Sequence, residues 1–66
     1  MPHPASRNYI TIDLRGAIIR VHDLHGTLDR SFAAAAYPSP LDWIRDAECY
    51  ATEAAHRLQC PYVCNY

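Results

Sequence analysis

Residues 39–59 read SPLDWIRDAECYATEAAHRLQ, and the periodicity of this stretch decides the fold. Ser39 is a strong N-cap residue, because its hydroxyl accepts from an otherwise unpaired first-turn amide. Pro40 follows at the first helical position, where a missing N–H costs nothing and φ is already helical. Asp42 suits the positive end of the helix dipole. Pro61, just past Gln59 and Cys60, marks the stop. Between these signals Ile44, Ala47, Ala51, Ala54 and Leu58 recur three and four residues apart. At about 100° per residue they fall within a sector roughly 80° wide, flanked by Trp43 and Ala55. A stripe whose middle is alanine can approach a flat surface closely, and a β-sheet is the natural partner.

The other side of this predicted helix is polar. Asp42, Asp46 and Glu53 lie within about 40° of one another, with Arg45 and Arg57 beside them. Most such rows are simply solvated helix faces. The more specific reading is an acidic row that meets a basic partner surface.

The residues before the helix supply the sheet. Asn8 to Arg15 alternates, with Ile10, Ile12 and Leu14 on one side and Tyr9, Thr11 and Asp13 on the other, as in a half-buried strand. Arg15-Gly16 is the expected two-residue hairpin turn. That turn pairs Leu14 with Ala17, Ile12 with Ile19 and Ile10 with Val21, all on one face. The opposite face then pairs Tyr9 with His22, Thr11 with Arg20 and Asp13 with Ile18. A turn over Asp23–Gly26 leads to a third strand, Thr27 to Phe32. This register sets Leu28 beside Val21, Phe32 near Ala17, and Arg20 opposite Asp29 as a favourable cross-strand pair. It turns Arg30 inward, which an edge strand tolerates when the guanidinium reaches water. Ala33–Ala36 is expected to form one helical turn. Tyr62–Tyr66 is short, aromatic and suited to a fourth strand. The expected fold is an α+β two-layer domain, an antiparallel three-stranded meander with room for a C-terminal strand, packed against one long helix. Residues 1–7 are expected to be a flexible tail and residues 8–66 one small domain.

Composition narrows the function. The chain has 66 residues and a net charge of −1, with six arginines, no lysine and seven acids. A chain this short buries only about 60% of its unfolded surface, so a homodimer interface would help it. Non-specific nucleic-acid binding draws on many basic phosphate contacts, which this balance does not supply. No run approaches the ~20 apolar residues of a membrane span, and Met1-Pro2-His3-Pro4 lacks the basic start and apolar core of a signal peptide. The expected location is the cytoplasm of a bacterial host cell, where the three cysteines stay reduced.

Several residue sets have the right types for chemistry. His22 and His25 bracket a turn, Cys60 and Cys64 follow the helix, and His56 precedes Cys60 by one helical turn. Two imidazoles and two thiolates suit tetrahedral zinc, but the spacing matches no standard finger. The simpler reading, a turn histidine pair and packing cysteines, is preferred, with no metal or cofactor. A Cys60–Cys64 disulfide is the oxidised alternative. Ser31, Ser39, Cys49, His22, His56 and Asp23 offer nucleophile and base types without any spacing that links them, so no enzyme is expected. Tyr9, Arg20 and His22 on a sheet face are a faint version of an RNA-binding surface.

The remaining expectation is a small stand-alone interaction module. In size and character it resembles phage-encoded inhibitors of the anti-CRISPR kind, without a residue motif to carry the likeness. The resemblance implies a larger protein partner; the charge balance and the lack of an apolar run lead to the expectation of no direct nucleic-acid contact and no membrane. The target would be the basic, nucleic-acid-handling surface of that partner. The residues expected to bind it are Asp42, Asp46 and Glu53, with Tyr50 and Arg20 as neighbouring contacts. The alternatives are a zinc-stabilised structural domain and a weak nucleic-acid-binding module.

Overall fold

The computed structural model describes residues 8–66; the expected tail, residues 1–7, lies outside them. Strands β1 (Ile10–Arg15), β2 (Ile18–Asp23) and β3 (Asp29–Ala33) form an antiparallel meander. A 3-10 turn over Ala34–Ala36 leads into α1 (Pro40–Leu58), and β4 (Tyr62–Cys64) closes the chain. The sheet order is β3-β2-β1-β4, with β4 parallel to β1. The fold is the α+β arrangement expected, with the fourth strand present.

The helix ends where its signals stand. The Ser39 hydroxyl accepts from the Asp42 amide at 3.2 Å, and Gln59 closes the helix in the left-handed region at φ 55. Backbone bonds then carry the chain straight from α1 into the sheet: the Cys60 amide donates to the Ala55 carbonyl, and the Ile10 amide to the Pro61 carbonyl. At the other end the Trp43 indole N–H donates to the Phe32 carbonyl at 2.7 Å, tying the start of α1 to β3.

The core is the meeting of the alanine stripe with one sheet face. Ile10, Ile12, Ile19, Val21, Ala47, Ala51 and Ala54 are all fully buried in one cluster. Phe32, Trp43 and Ala55 complete it, and Ile44 and Leu58 pack against its margin. The flanking Trp43 and Ala55 are therefore deeper than the stripe's own ends.

Both strand registers differ from expectation, and each by two residues. Ile12 pairs with Val21, Leu14 with Ile19 and Ile10 with Asp23. The turn is Gly16-Ala17 rather than Arg15-Gly16. Gly16 holds φ 58, and a primed turn with glycine at its first central position requires that conformation there. Moving a two-residue turn by one position shifts every pairing by two. Side chains alternate with period two, so each keeps its face. The core assignment of Ile10, Ile12, Ile19 and Val21 survives for that reason, while Leu14 and Ala17 run beyond the helix into solvent. Asp13 now stands opposite Arg20 instead of Ile18, and Thr11 opposite His22.

The second turn behaves alike. Asp23 stays in β2, and its amide donates to the Leu28 carbonyl, closing a loop over Leu24–Thr27 in which Gly26 takes φ 75. Phe32 consequently faces Ile19, Arg30 faces Val21, and Ser31 stands opposite Arg20. The expected Arg20–Asp29 ion pair still forms, diagonally, with Nη2 to Oδ2 at 2.7 Å. Arg30 lies on the helix side at the sheet edge, its guanidinium 4.8 Å from the Phe32 ring centroid and 5.2 Å from that of Tyr50.

Close helix–sheet contact makes the small residues of α1 obligatory. Ala51→Leu is expected to lower stability by about 1–3 kcal/mol through overpacking, whereas Glu53→Gln on the exposed side should stay within about 0.5 kcal/mol. Urea unfolding of both variants checks the difference.

Candidate functional site

Two surfaces remain after the core is closed: the outer side of α1 and the sheet face turned away from it. On α1, Asp42, Asp46 and Glu53 are all exposed. The Ser39 hydroxyl donates to the Asp42 carboxylate at 3.0 Å, and the Tyr37 hydroxyl donates to that of Asp46. That bond also raises the pKa of Tyr37, because losing the proton would set a phenolate against a carboxylate. Hydroxyl donors orient a carboxylate without cancelling its charge. Among the described residues none of the three acids pairs with an arginine; the ion pairs present join Arg20 to Asp29 and His22 to Asp13. On the next side of α1, Glu48 accepts from the Tyr66 hydroxyl at 2.9 Å and so anchors the C-terminus.

The open sheet face carries a compensated charge lattice. Asp13 on β1 is its hub. Its Oδ1 accepts from the Asn65 side-chain amide and its Oδ2 contacts His22 Nε2, both at 2.9 Å. These two bonds, the Asn65 one first, hold the Asp13 carboxyl below its ordinary pKa. Arg20 and Asp29 make a bidentate pair alongside, which lowers the pKa of Asp29 and raises that of Arg20. A shallow depression of about 630 Å³ lies at one end of this face, between Leu14, Ile18, Ser31 and the charged row.

The residues expected to bind a partner do not form one patch. Asp42, Asp46 and Glu53 share the outer side of α1. Tyr50 is half-buried on the helix flank, its ring 5.5 Å from that of Phe32, and it serves the core margin. Arg20 projects from the far side of the sheet, since its neighbours Ile19 and Val21 are the ones buried under the helix.

The metal-type residues are also dispersed. His22 contacts Asp13 on the open face, and His25 is exposed in the second turn. Cys60 packs at the end of α1, and Cys64 aligns with Ile12 on the helix side. Among the described residues no three histidine, cysteine or acidic side chains gather as a ligand set. Cys49, Cys60 and Cys64 are free thiols. Of the residues suggesting an RNA surface, Tyr9 is exposed, but Arg20 and His22 are each matched by an acid.

Sequence reading names Asp23 only as a turn residue and an acid type, and misses that it organises the second turn. Asp23 is only 4% exposed. Its Oδ1 accepts from the Leu28 amide at 3.0 Å and its Oδ2 from the Asn8 side chain at 2.9 Å. An aspartate before a glycine-containing turn is the signal that could have found it, since such side chains bond the backbone of their own turn.

No protein-family model, curated protein or solved structure matches this chain. No helix among the described residues is long and apolar enough to cross a membrane.

Burial pushes the Asp23 pKa up, but the bonds from Leu28, Asn8 and Thr27 outweigh it and hold the group at about 2, against an ordinary 3.8. A depressed folded-state pKa stabilises above the unfolded value and loses that contribution as pH falls through the folded one. Stability is therefore expected to decline as pH drops from 3.8 toward about 2. Asp13 and Asp29 act in the same direction. Asp23→Asn should be less stable at neutral pH and show a shallower acid decline in thermal melts at fixed ionic strength. An unchanged acid limb in that variant would remove Asp23 from the account.

Proposed function

We propose that this protein is an interaction module that blocks a basic, nucleic-acid-handling surface of a larger protein, in the manner of a phage-encoded inhibitor. The observation that carries this reading is the acidic row on α1, whose three carboxylates make no ion pair among the described residues. Arg20 and His22 are matched by acids across the sheet, and Arg30 lies over two rings. The carboxylates of Asp42, Asp46 and Glu53 are exposed, and among the described residues none is in an ion pair, although Arg45 and Arg57 stand beside the row.

The row is also stiff. It stands on a helix whose opposite side is fully buried alanine, and two of its members are held by hydroxyl donors. Along the axis Asp42 and Asp46 are about 6 Å apart, and Asp46 and Glu53 about 10 Å, at 1.5 Å per residue. A surface of arginines and lysines that ordinarily meets successive phosphates offers cations at comparable intervals. Anions fixed before contact lose little entropy on binding, and opposite potentials speed the encounter.

Charge reversal tests this reading. Asp46→Lys with Glu53→Lys should leave the fold intact, because both positions are exposed. It should weaken capture of a nucleic-acid-binding partner by more than about tenfold, since like charges across an interface cost several kcal/mol. Affinity for the unaltered protein should fall as salt is raised. Pull-down from a host lysate with mass spectrometry, followed by titration of the recovered partner, measures both. Recovery of that partner by the reversed variant with unchanged affinity sinks the proposal.

A further inference from the structure

Among the described residues no strand pairs with the outer edge of β3, and the side chains that ordinarily guard such an edge are turned away from it. The register of β2 and β3, with bonds from the Ala34 amide to the Ala17 carbonyl and from the Asp23 amide to the Leu28 carbonyl, identifies which β3 residues bond inward. Antiparallel ladders alternate, so Arg30 and Phe32 bond to β2. Asp29 and Ser31 therefore direct both their N–H and C=O groups outward, and Ala33 its N–H, its carbonyl heading the 3-10 turn.

Proteins commonly blunt such an edge with free charges, proline or a bulge. Here β3 reads DRSFA, with no proline and no lysine. Asp29 is drawn inboard by its bidentate pair with Arg20, and Arg30 is folded over the Phe32 and Tyr50 rings. The β4 edge differs: it is three residues long and begins just after Pro61.

We infer that β3 pairs antiparallel with β3 of a second copy of this chain, about a two-fold axis through Ser31, making one continuous sheet. A second copy is the occupant because the strand complements itself. With the axis at Ser31, Asp29 stands beside the partner's Ala33, and Ser31 beside the partner's Ser31. The Ser31 pair exchanges two backbone bonds, and each Asp29–Ala33 pair contributes the one from the Ala33 N–H to the Asp29 carbonyl. On the helix side Arg30 stands beside the partner's Phe32, so a guanidinium meets a second ring. An axis at Arg30 would oppose two guanidinium groups, and an axis at Phe32 would run into the 3-10 turn of Ala34–Ala36. A closed two-fold pair also ends the sheet without leaving β3 free for further growth. Antiparallel self-pairing keeps faces together, so both helices lie on one side of the joined sheet. A chain of 66 residues gains from this, because small domains bury too little surface alone. The inference stands apart from the acidic row of α1.

Sedimentation equilibrium over a concentration series tests it. The unaltered protein is expected to move from 7.5 kDa to twice that mass as concentration rises. Ser31→Pro removes one outward N–H and no ladder bond to β2, a position an edge strand tolerates; it should remain at the monomer mass with an unchanged circular dichroism spectrum. Ser31→Thr, which keeps the amide, should dimerise. Amide exchange in the unaltered protein gives a readout that does not depend on any variant folding. Protection at Ser31 and Ala33 should rise with concentration, while Arg30 and Phe32 are protected throughout. A monomer at every concentration, a dimer that persists in folded Ser31→Pro, or unprotected Ser31 and Ala33 amides in the dimer would each overturn the inference.

Discussion

The close seating of Ala47, Ala51 and Ala54 on Ile10, Ile12, Ile19 and Val21 is the contact on which the rest of the structure depends. All seven residues are fully buried, and among the described residues no other layer covers that side of the sheet. A large residue in the alanine stripe would lift the helix, and the branched strand residues beneath it would lose their contacts with it. The larger side chains are placed where the gap between helix and sheet can widen. Trp43 stands over the β3 end with its indole bonded to the Phe32 carbonyl, and Leu58 packs at the far margin.

That arrangement sorts the polar residues into two kinds. On the open sheet face charges are compensated by near neighbours: Asp13 by His22 and Asn65, Arg20 by Asp29. These contacts join β1 to β2, β2 to β3, and β1 to the segment after β4, so this face stitches the sheet together. On the outer side of α1 Asp42 and Asp46 are oriented by hydroxyl groups, and neither they nor Glu53 is in an ion pair among the described residues. A face whose charges are already paired has little to offer a charged partner, whereas carboxylates outside any ion pair remain open to one. The proposed function follows from that contrast, more than from the number of acids.

The termini of the helix matter to the same end. Ser39 caps the start, and Gln59 in the left-handed region ends it within two residues of Pro61, whose carbonyl accepts from Ile10. The acidic row is thus carried on a helix fixed to the sheet at both ends, through Trp43 to β3 and through Pro61 to β1. The Tyr66–Glu48 bond adds a third tie near its middle.

Helix extent, its caps, the identity of its buried stripe and the sorting of Ile10, Ile12, Ile19 and Val21 to one face were determined by the sequence alone, because each follows from a local period or a single residue's backbone preference. The pairing registers were not. Alternation has period two, and a shift of two leaves every face unchanged, so the pattern cannot distinguish Gly16-Ala17 from Arg15-Gly16 as the turn. Only the assembled hairpin, with Gly16 at positive φ, decided it. The partners of Asp13, the burial of Asp23 and the separation of Arg20 from the helix acids all hang on that register and on which sheet face α1 covers. Those are long-range facts, settled when the strands and helix come together.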